Sequence, residues 1–412
     1  MRQGQAMTLP QAVTRYAAQL HAGHTGGHAI DSPLGAWLLV ALAAPAAPPG
    51  SPAAAELEAA LGMPAAEAGA LAARLLGDPH PAVTAAAAAW TAPEVQTPAL
   101  RRWAEGLPAG APHTPVVPTQ AQVDAWADEA TGGQIPRFPL EVTPATLLLI
   151  ATALATDVRW REPLRPAPAA ELGPDAPLAR DRTQVLTAAW DSDHAVVRAR
   201  RSGVAALVAH PSTTGLLVVS LAAAPDVAPA DVLADAHELA VTLARDPDSL
   251  DRVDAFELPL ADGPVVGVTE RVAQLPVPET HAVQHQAFLP AWRAESRHDL
   301  LELQWPGVPA AVVALADLLR DQPDPPPLEA EAVQAAVGSF TREGFRAAAI
   351  TAIGVRAAGM PWHQEGLLRE VTLRFGHPHA VVAVAVDETG GPWHGLPVFS
   401  AWVARSREVG AD

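Results

Sequence analysis

Apolar residues in the first half of the chain recur every three or four positions, which is the spacing of an amphipathic helix. This pattern predicts helices over residues 9–20, 34–42, 53–61, 65–76, 100–105 and 120–131. Ser32 followed by Pro33 is typical of a helix start, since proline is tolerated in the first turn. Residues 83–91 and the nearly continuous apolar run 147–156 favour strands. The second would be buried on both faces, with a buried helix as its alternative.

The second half of the chain is dominated by strand patterns. They cover residues 196–208, 215–221, 256–260, 333–342, 371–375, 380–387 and 398–405, and one long helix over 229–245 interrupts them. The chain has 42 prolines, yet residues 178–210 and 328–360 contain none. Because proline cannot donate a ladder hydrogen bond, these two stretches are predicted to be long central strands. No linker divides the chain, so we expect one mixed α and β domain over residues 1–412.

Charge and composition narrow the classes of partner. The chain carries 45 acidic and 27 basic residues, a net charge of -18, so phosphate backbones would repel it and a nucleic-acid partner is not expected. The early apolar stretch 34–47 is broken by proline and too short to span a bilayer, and residues 1–13 lack the apolar core of a secretory signal. We expect a soluble protein without a membrane partner.

Missing residue types exclude several chemistries. There is no cysteine and no lysine, which removes thiolate nucleophiles, cysteine metal sites, Schiff-base lysines and the phosphate-loop lysine. His237 and Glu238 begin a zinc-protease pattern, but Val241 stands where the second histidine is required. His377 and His379 have no visible third ligand. We therefore expect no metal, no cofactor and no enzyme, with a hydrolase built on a dispersed triad as the weaker alternative.

Six segments occur in an order that resembles the serpin family of protease inhibitors over essentially the whole chain. They include a buried serine-proline helix start, a small-residue helix, a helix followed by a turn, a long strand with a tryptophan exit, a stretch ending in Asp-Leu and a pair of C-terminal strands. In this sequence they are residues 30–34, 50–62, 123–135, 148–164 and 289–300, with the strand pair at 374–382 and 396–403.

The resemblance implies a metastable α+β fold. A single domain would hold a large central, mostly antiparallel sheet, packed helices and an exposed reactive-centre loop over residues 345–370. It implies a monomeric suicide-substrate inhibitor whose loop is cut by a serine protease and inserts into the central sheet before the acyl-enzyme hydrolyses. Completing a sheet would drive the insertion. By resemblance the protein is extracellular, with a cytoplasmic location as the alternative.

Residues 341–360 (TREGFRAAAITAIGVRAAGM) resemble the hinge and loop that carry this activity. With a period of two, one face of a strand would hold only uncharged residues, from Phe345 to Ala357, and the other would hold Arg346 and Arg356. That division favours a strand that can insert. The hinge would comprise Arg342, Glu343, Gly344, Phe345, Ala347, Ala348 and Ala349.

Counting the family's spacing from Gly344 places the reactive bond between Ala358 and Gly359. Fourteen residues at about 3.3 Å each span roughly 46 Å, enough to carry a protease across a domain. Alanine before the cut suits an elastase-like or subtilisin-like protease, while Arg356 and Met360 remain alternatives for the bait.

The hinge also departs from the inhibitors that it resembles. Phe345 stands where they usually have threonine or serine, and Arg342 where an acid is usual. The extra volume of Phe345 is expected to overpack the sheet by about 1 to 3 kcal/mol, which would slow insertion. A non-inhibitory binding or structural protein on the same fold is therefore the alternative function. The family's polar cluster beneath the sheet opening corresponds here to Ser32, Thr152 and Gln334, with Trp160 where insertion begins.

Overall fold

Eight α-helices form where the apolar spacing indicates them, with one addition. The computed structural model describes residues 7–95, 97–173, 175–188, 192–276, 279–320, 328–345 and 363–410. The helices in these ranges are α1 (Leu9–His21), α2 (Pro33–Ala43), α3 (Pro52–Leu61), α4 (Ala65–Gly77), α5 (Pro98–Glu105), α6 (Gln120–Ala130), α7 (Pro229–Arg245) and α8 (Val308–Arg320). Helix α8 was not predicted. None of the helices in the described part of the chain combines the length and hydropathy needed to cross a bilayer.

Local capping explains where several helices begin. The hydroxyls of Ser32, Ser51 and Thr97 each accept an amide hydrogen bond from the third residue that follows. Proline follows directly after each of these caps, as expected for the first helical position. Thr8 and Thr119 form capping boxes with a glutamine three residues later.

The described strands form two six-stranded sheets and one split sheet. The core sheet comprises, in spatial order, β1 (Ala29–Asp31), β19 (Leu396–Val403), β18 (His379–Ala385), β10 (Leu216–Ala222), β9 (Gly203–Pro211) and β8 (Asp193–Ala199). The side sheet comprises β11 (Ala261–Asp262), β12 (Val266–Pro276), β17 (His363–Arg374), β13 (His281–Leu289), β7 (Gln184–Thr187) and β6 (Arg165–Pro168).

The split sheet consists of two parts. One part comprises β14 (Trp292–Asp299), β15 (Val333–Phe340), β16 (Gly344–Phe345) and β5 (Val158–Arg159). The other comprises β3 (His113–Thr114), β2 (Thr84–Thr91) and β4 (Leu148–Ala155). Helix α2 lies between the split sheet and the core sheet and contacts β4 and β19. Since it is buried on all sides, it carries apolar residues around its whole circumference.

Two strand predictions and one loop prediction require correction. Residues 255–257, which overlap the start of the predicted strand 256–260, form a 3-10 turn that Asp254 caps through the amide of Phe256. The proline-free stretch 178–210 is not one central strand, because it holds β7 in the side sheet and β8 and most of β9 in the core sheet. The predicted loop 345–370 is too long at both ends: Phe345 pairs within the split sheet and residues 363–370 belong to β17.

Candidate functional site

A gap separates the two parts of the split sheet. Strand β4 pairs along its length with β2, and β15 pairs with β14, but among the described residues no ladder joins β4 to β15. At one end β16 lies between β15 and β5, where Phe345 faces Phe340 on one side and Val158 on the other. Below β16, no described strand pairs with the facing edges of β4 and β15, which is the arrangement that accepts an additional strand. We call this gap the strand slot.

Backbone hydrogen bonds fix the chain around β16 at the upper end of the slot. The amide of Trp160 donates to the carbonyl of Glu343 (3.1 Å), and the amide of Leu164 donates to that of Arg342 (2.9 Å). The indole Nε1 of Trp160 donates to the carbonyl of Thr341 at 3.0 Å. The predicted hinge residues 342–345 thus lie against Trp160 at the end of the slot.

Phe345 is buried in an aromatic cluster. Its ring lies 6.1 Å from that of Trp292 in an edge-on arrangement, and Trp160 contacts Phe340 at 5.1 Å between ring centroids. A Cβ on Gly338 would lie 2.3 Å from Ile30 and 3.6 Å, an ordinary contact distance, from the Phe345 ring, so the absence of a side chain at Gly338 makes room for Ile30 beside Phe345.

The predicted polar cluster lies beneath the slot, at the first turn of α2. The Gln334 side chain on β15 accepts from the amide of Ser32 (2.9 Å) and donates to the Ser32 carbonyl (3.0 Å). From the other edge, the Thr152 hydroxyl on β4 donates to the carbonyl of Gly35 (2.9 Å). Ser32 itself donates to Val398 of the core sheet. Both edges of the slot are therefore anchored to the same helix start.

A buried charged cluster adjoins Ser32, and the sequence analysis missed it. Asp31 receives hydrogen bonds from His298 Nε2 (2.7 Å) and His21 Nε2 (3.2 Å). Burial alone would raise the pKa of Asp31, but these two bonds outweigh it and lower the pKa. Burial would likewise lower the pKa of His298, yet the bond and charge of Asp31 raise it. No local sequence signal points to this cluster, since the pairing that sets His298 opposite Gln334 across β14 and β15 is long-range.

The outer face of the slot is crossed by the segment after α6, which we call the strap (residues 131–142). Gln134 donates to the carbonyl of Thr156, just beyond β4, at 3.0 Å. On the other side of the slot, Arg297 of β14 donates to the carbonyl of Pro139 at 3.0 Å. A strand that enters the slot would therefore lie beneath the strap.

Nothing in the described ranges forms a group of three or more His, Asp or Glu side chains suited to a metal ion. Ser192 and His210 form a buried pair at 2.8 Å, but Nε2 of His210 has no partner and no described carboxylate bonds to this ring. Burial lowers the pKa of His210 to about 3, so this histidine stays neutral. It packs against Trp160 at 5.4 Å and is part of the wall at the end of the slot.

Comparison with solved structures identifies the architecture. Tengpin, a thermophilic serpin in its native state, matches with a TM-score of 0.63 and 13% identity, over 96% of this chain and 93% of that one. A serpin from the trematode Schistosoma haematobium matches with a TM-score of 0.60 and 14% identity, over 97% and 100%. The chain has the serpin fold. Thyroxine-binding globulin in complex with thyroxine shares this fold, with a TM-score of 0.61 and 10% identity over 97% and 98% of the two chains.

Of the comparisons with known proteins, those with solved structures give matches. No protein-family model matches the sequence, and no curated protein matches it. The structure brings Ser32, Thr152, Gln334 and Trp160 to the slot together with residues 342–345. Five other predicted site residues lie outside the described residues: Ala347, Ala348, Ala349, Ala358 and Gly359.

Proposed function

We propose that this protein is a suicide-substrate inhibitor of a serine protease. The observation that carries the proposal is the strand slot, one strand wide, with β16 already at its upper end. The segment that would fill it, residues 346–362, continues directly from β16. Cleavage within this segment would free its first part to extend β16 down the slot, completing two ladders and removing two unpaired edges.

The register of β16 predicts where each residue would come to lie. Gly344 faces Arg159 and Phe345 faces Val158, so an extended strand would place Ala348 opposite Ala155 and Val355 opposite Leu148. On the other side, the pairing of Phe345 with Phe340 would place Ala347 opposite Gly338. Because Phe345 points into the core, every second residue after it would also face the core. These residues, which include Ala347, Ala349 and Ile353, form the uncharged face of the segment.

The same register brings polar residues together in two places. Thr351, the one hydroxyl on the uncharged face, would lie between Thr152 and Gln334, the two side chains that anchor the slot edges. On the outer face, Arg346 would lie opposite Asp157, where opposite charges favour pairing. A random apolar segment would satisfy neither position.

The length of the segment fits a cut between Ala358 and Gly359. Filling the slot to its far end requires the chain as far as Val355, opposite the first residue of β4. Thirteen residues, 346–358, would extend about 43 Å and carry an acylated protease to the opposite end of the sheet. We propose Ala358 as the bait residue, with an elastase-like or subtilisin-like protease as partner, acting on a monomer outside the cell.

The test is to mix the protein with elastase-like, subtilisin-like and trypsin-like proteases and to look for a covalent adduct on denaturing gels. We expect an adduct with one of the first two. Thr351→Arg should convert the inhibitor into a cleaved substrate, because it would bury a charge beneath the closed sheet. Thr351→Val is the matched control and should still form the adduct. An adduct that forms equally well with Thr351→Arg would refute insertion in this register.

A binding protein on the same fold is the second candidate, and one cavity favours it. A space of about 170 Å³ is lined mainly by apolar groups, among them Val232, Pro229 and Trp402. The indole nitrogen of Trp402 is buried without a hydrogen-bond partner. The structural relative crystallised with thyroxine shows that this fold can hold a small aromatic molecule. Two results together would favour this candidate. Small aromatic compounds should quench tryptophan fluorescence saturably in the wild type but not in Trp402→Ala, and no protease adduct should appear on gels.

A further inference from the structure

Strand β12 forms an edge of the side sheet over most of its length. Its ladder with β17 covers all 11 residues of the strand, but on its other side β11 reaches only Gly267 and Val268. No described strand pairs with that side over residues 269–275, and residues 269–272 are all exposed. Natural proteins usually cover or charge an edge of this length, because its unpaired amides and carbonyls would accept another strand.

The backbone groups of this edge point outward at every second residue. The amide of Arg374 donates to the carbonyl of Val265, just before β12, at 2.8 Å, so odd-numbered residues of β12 direct their backbone groups toward β17. Even-numbered residues point away from β17, in agreement with the bond from the Gly263 amide to the Val266 carbonyl. The outward-pointing residues that β11 leaves open are Glu270, Val272, Gln274 and Pro276. Because proline has no amide, the row of open donors ends before Pro276.

The open edge is symmetric about Val272. Four residues before it, Val268 is paired with β11, and four residues after it, Pro276 lacks a donor. Val272 is 66% exposed, the largest fraction among the exposed large apolar side chains of the described chain. A two-fold axis through this residue would pair Val272 with itself and Glu270 with Gln274 of a second copy. Such a self-complementary patch is what a two-fold symmetric contact requires.

The charged residues of this edge are turned toward β17. Arg271 lies 3.1 Å from Glu370, and Glu270 lies 3.4 Å from Arg369. Charges that would guard an edge strand against a second strand are thus paired within the chain. In the two-fold register Gln274 can donate a side-chain hydrogen bond to Glu270 of the second copy, and no charged residue faces one of the same sign.

We propose that two copies of this chain associate through the open edges of β12, paired antiparallel about Val272, so that their side sheets become one continuous sheet. The contact involves one strand from each copy and is small, so the dimer should be weak and reversible. Each copy has a net charge of -18, and salt should strengthen the dimer by screening their repulsion.

This dimer is independent of the proposed function, because β12 contributes no residue to the strand slot. The monomer on which a protease would act is then the species that remains when the dimer dissociates.

Cysteine cross-linking tests the register, since the chain has no cysteine of its own. Residues that face each other on a hydrogen-bonded rung have Cα atoms about 5.5 Å apart, within the range of a disulfide. Val272→Cys should therefore form a disulfide with its counterpart in the second copy. Gln274→Cys, on the same exposed edge, is the matched control, because its counterpart would be four residues away along the strand, about 13 Å. Under mild oxidation, covalent dimers of Val272→Cys should form at least about ten times faster.

Sedimentation velocity of the full chain measures the dimer without cross-linking. Wild type should shift toward the dimer as its concentration rises, and further in about 0.5 M salt, where repulsion is screened. Val272→Pro should weaken association at least about tenfold, because it removes the central donor; its amide points away from β17, so the ladder within the chain is kept. Equal cross-linking rates in the two cysteine variants, or a wild type that stays monomeric at every concentration, would overturn the proposal.

Discussion

Replacing Phe345 by alanine removes the side chain that seats the hinge in the aromatic cluster. The Phe345 ring is 4% exposed and lies between Val158, Phe340 and Trp292. Phenylalanine-to-alanine changes in protein cores cost about 3 to 5 kcal/mol. Because β16 is only two residues long and can detach from the slot, the expected loss lies near the lower end, at about 3 kcal/mol.

The measurement is the free energy of unfolding in urea, followed by tryptophan fluorescence, which reports on Trp160 and Trp292 at the site. Phe345→Leu is the control and should lose less than about 1.5 kcal/mol, because it keeps most of the apolar volume. Phe345→Arg should destabilise further and convert the inhibitor into a substrate, since it places a charge in the same cluster. A loss below about 1 kcal/mol for Phe345→Ala would show that the hinge is not seated in the slot.

Three further predictions concern the surroundings of the slot. Burial lowers the pKa of His210 to about 3 and that of His379 to about 4. Below pH 6.5 the unfolded chain therefore binds more protons than the folded one. Each of the two histidines should lower the free energy of unfolding by about 2 kcal/mol between pH 7 and 5. Urea midpoints should show a shallower pH dependence for His379→Gln, and an unchanged slope would contradict this. Gln334→Ala should lower the free energy of unfolding by about 2 to 4 kcal/mol, because it leaves both backbone groups of Ser32 unpaired; a loss below about 1 kcal/mol in urea would argue against the paired geometry. Arg297→Ala should lower the free energy of unfolding by about 1 kcal/mol, because it removes the hydrogen bond to Pro139 that holds the strap. The freed strap should let thermal stability rise faster after nicking, and an unchanged rate would exclude the strap as a barrier.

Sequence patterns predicted local elements better than their assembly. The spacing over residues 229–245 matches α7 because that helix has one buried face, and Ser32 before Pro33 matches the observed cap of α2. The side sheet was largely missed. Strand β12 mixes polar and apolar residues along its length, so its period-two pattern is weak.

The site was predicted as a set of residues, but the geometry was not. Motif order brought Ser32, Thr152, Gln334 and Trp160 together correctly in space. That the missing side chain at Gly338 of β15 makes room for Ile30 of β1 depends on contacts across two strands and could not be read from either residue alone. The charged cluster around Asp31 combines residues from four elements or loops, a long-range arrangement that no local spacing encodes.

The most direct test of the open slot is a comparison of thermal unfolding before and after a single backbone cut between Phe345 and His363. If the freed chain extends β16 between β4 and β15, the cut protein gains two ladders and should unfold at least 20 degrees higher than the uncut one. A cut protein that unfolds at the same temperature, or lower, would contradict the account.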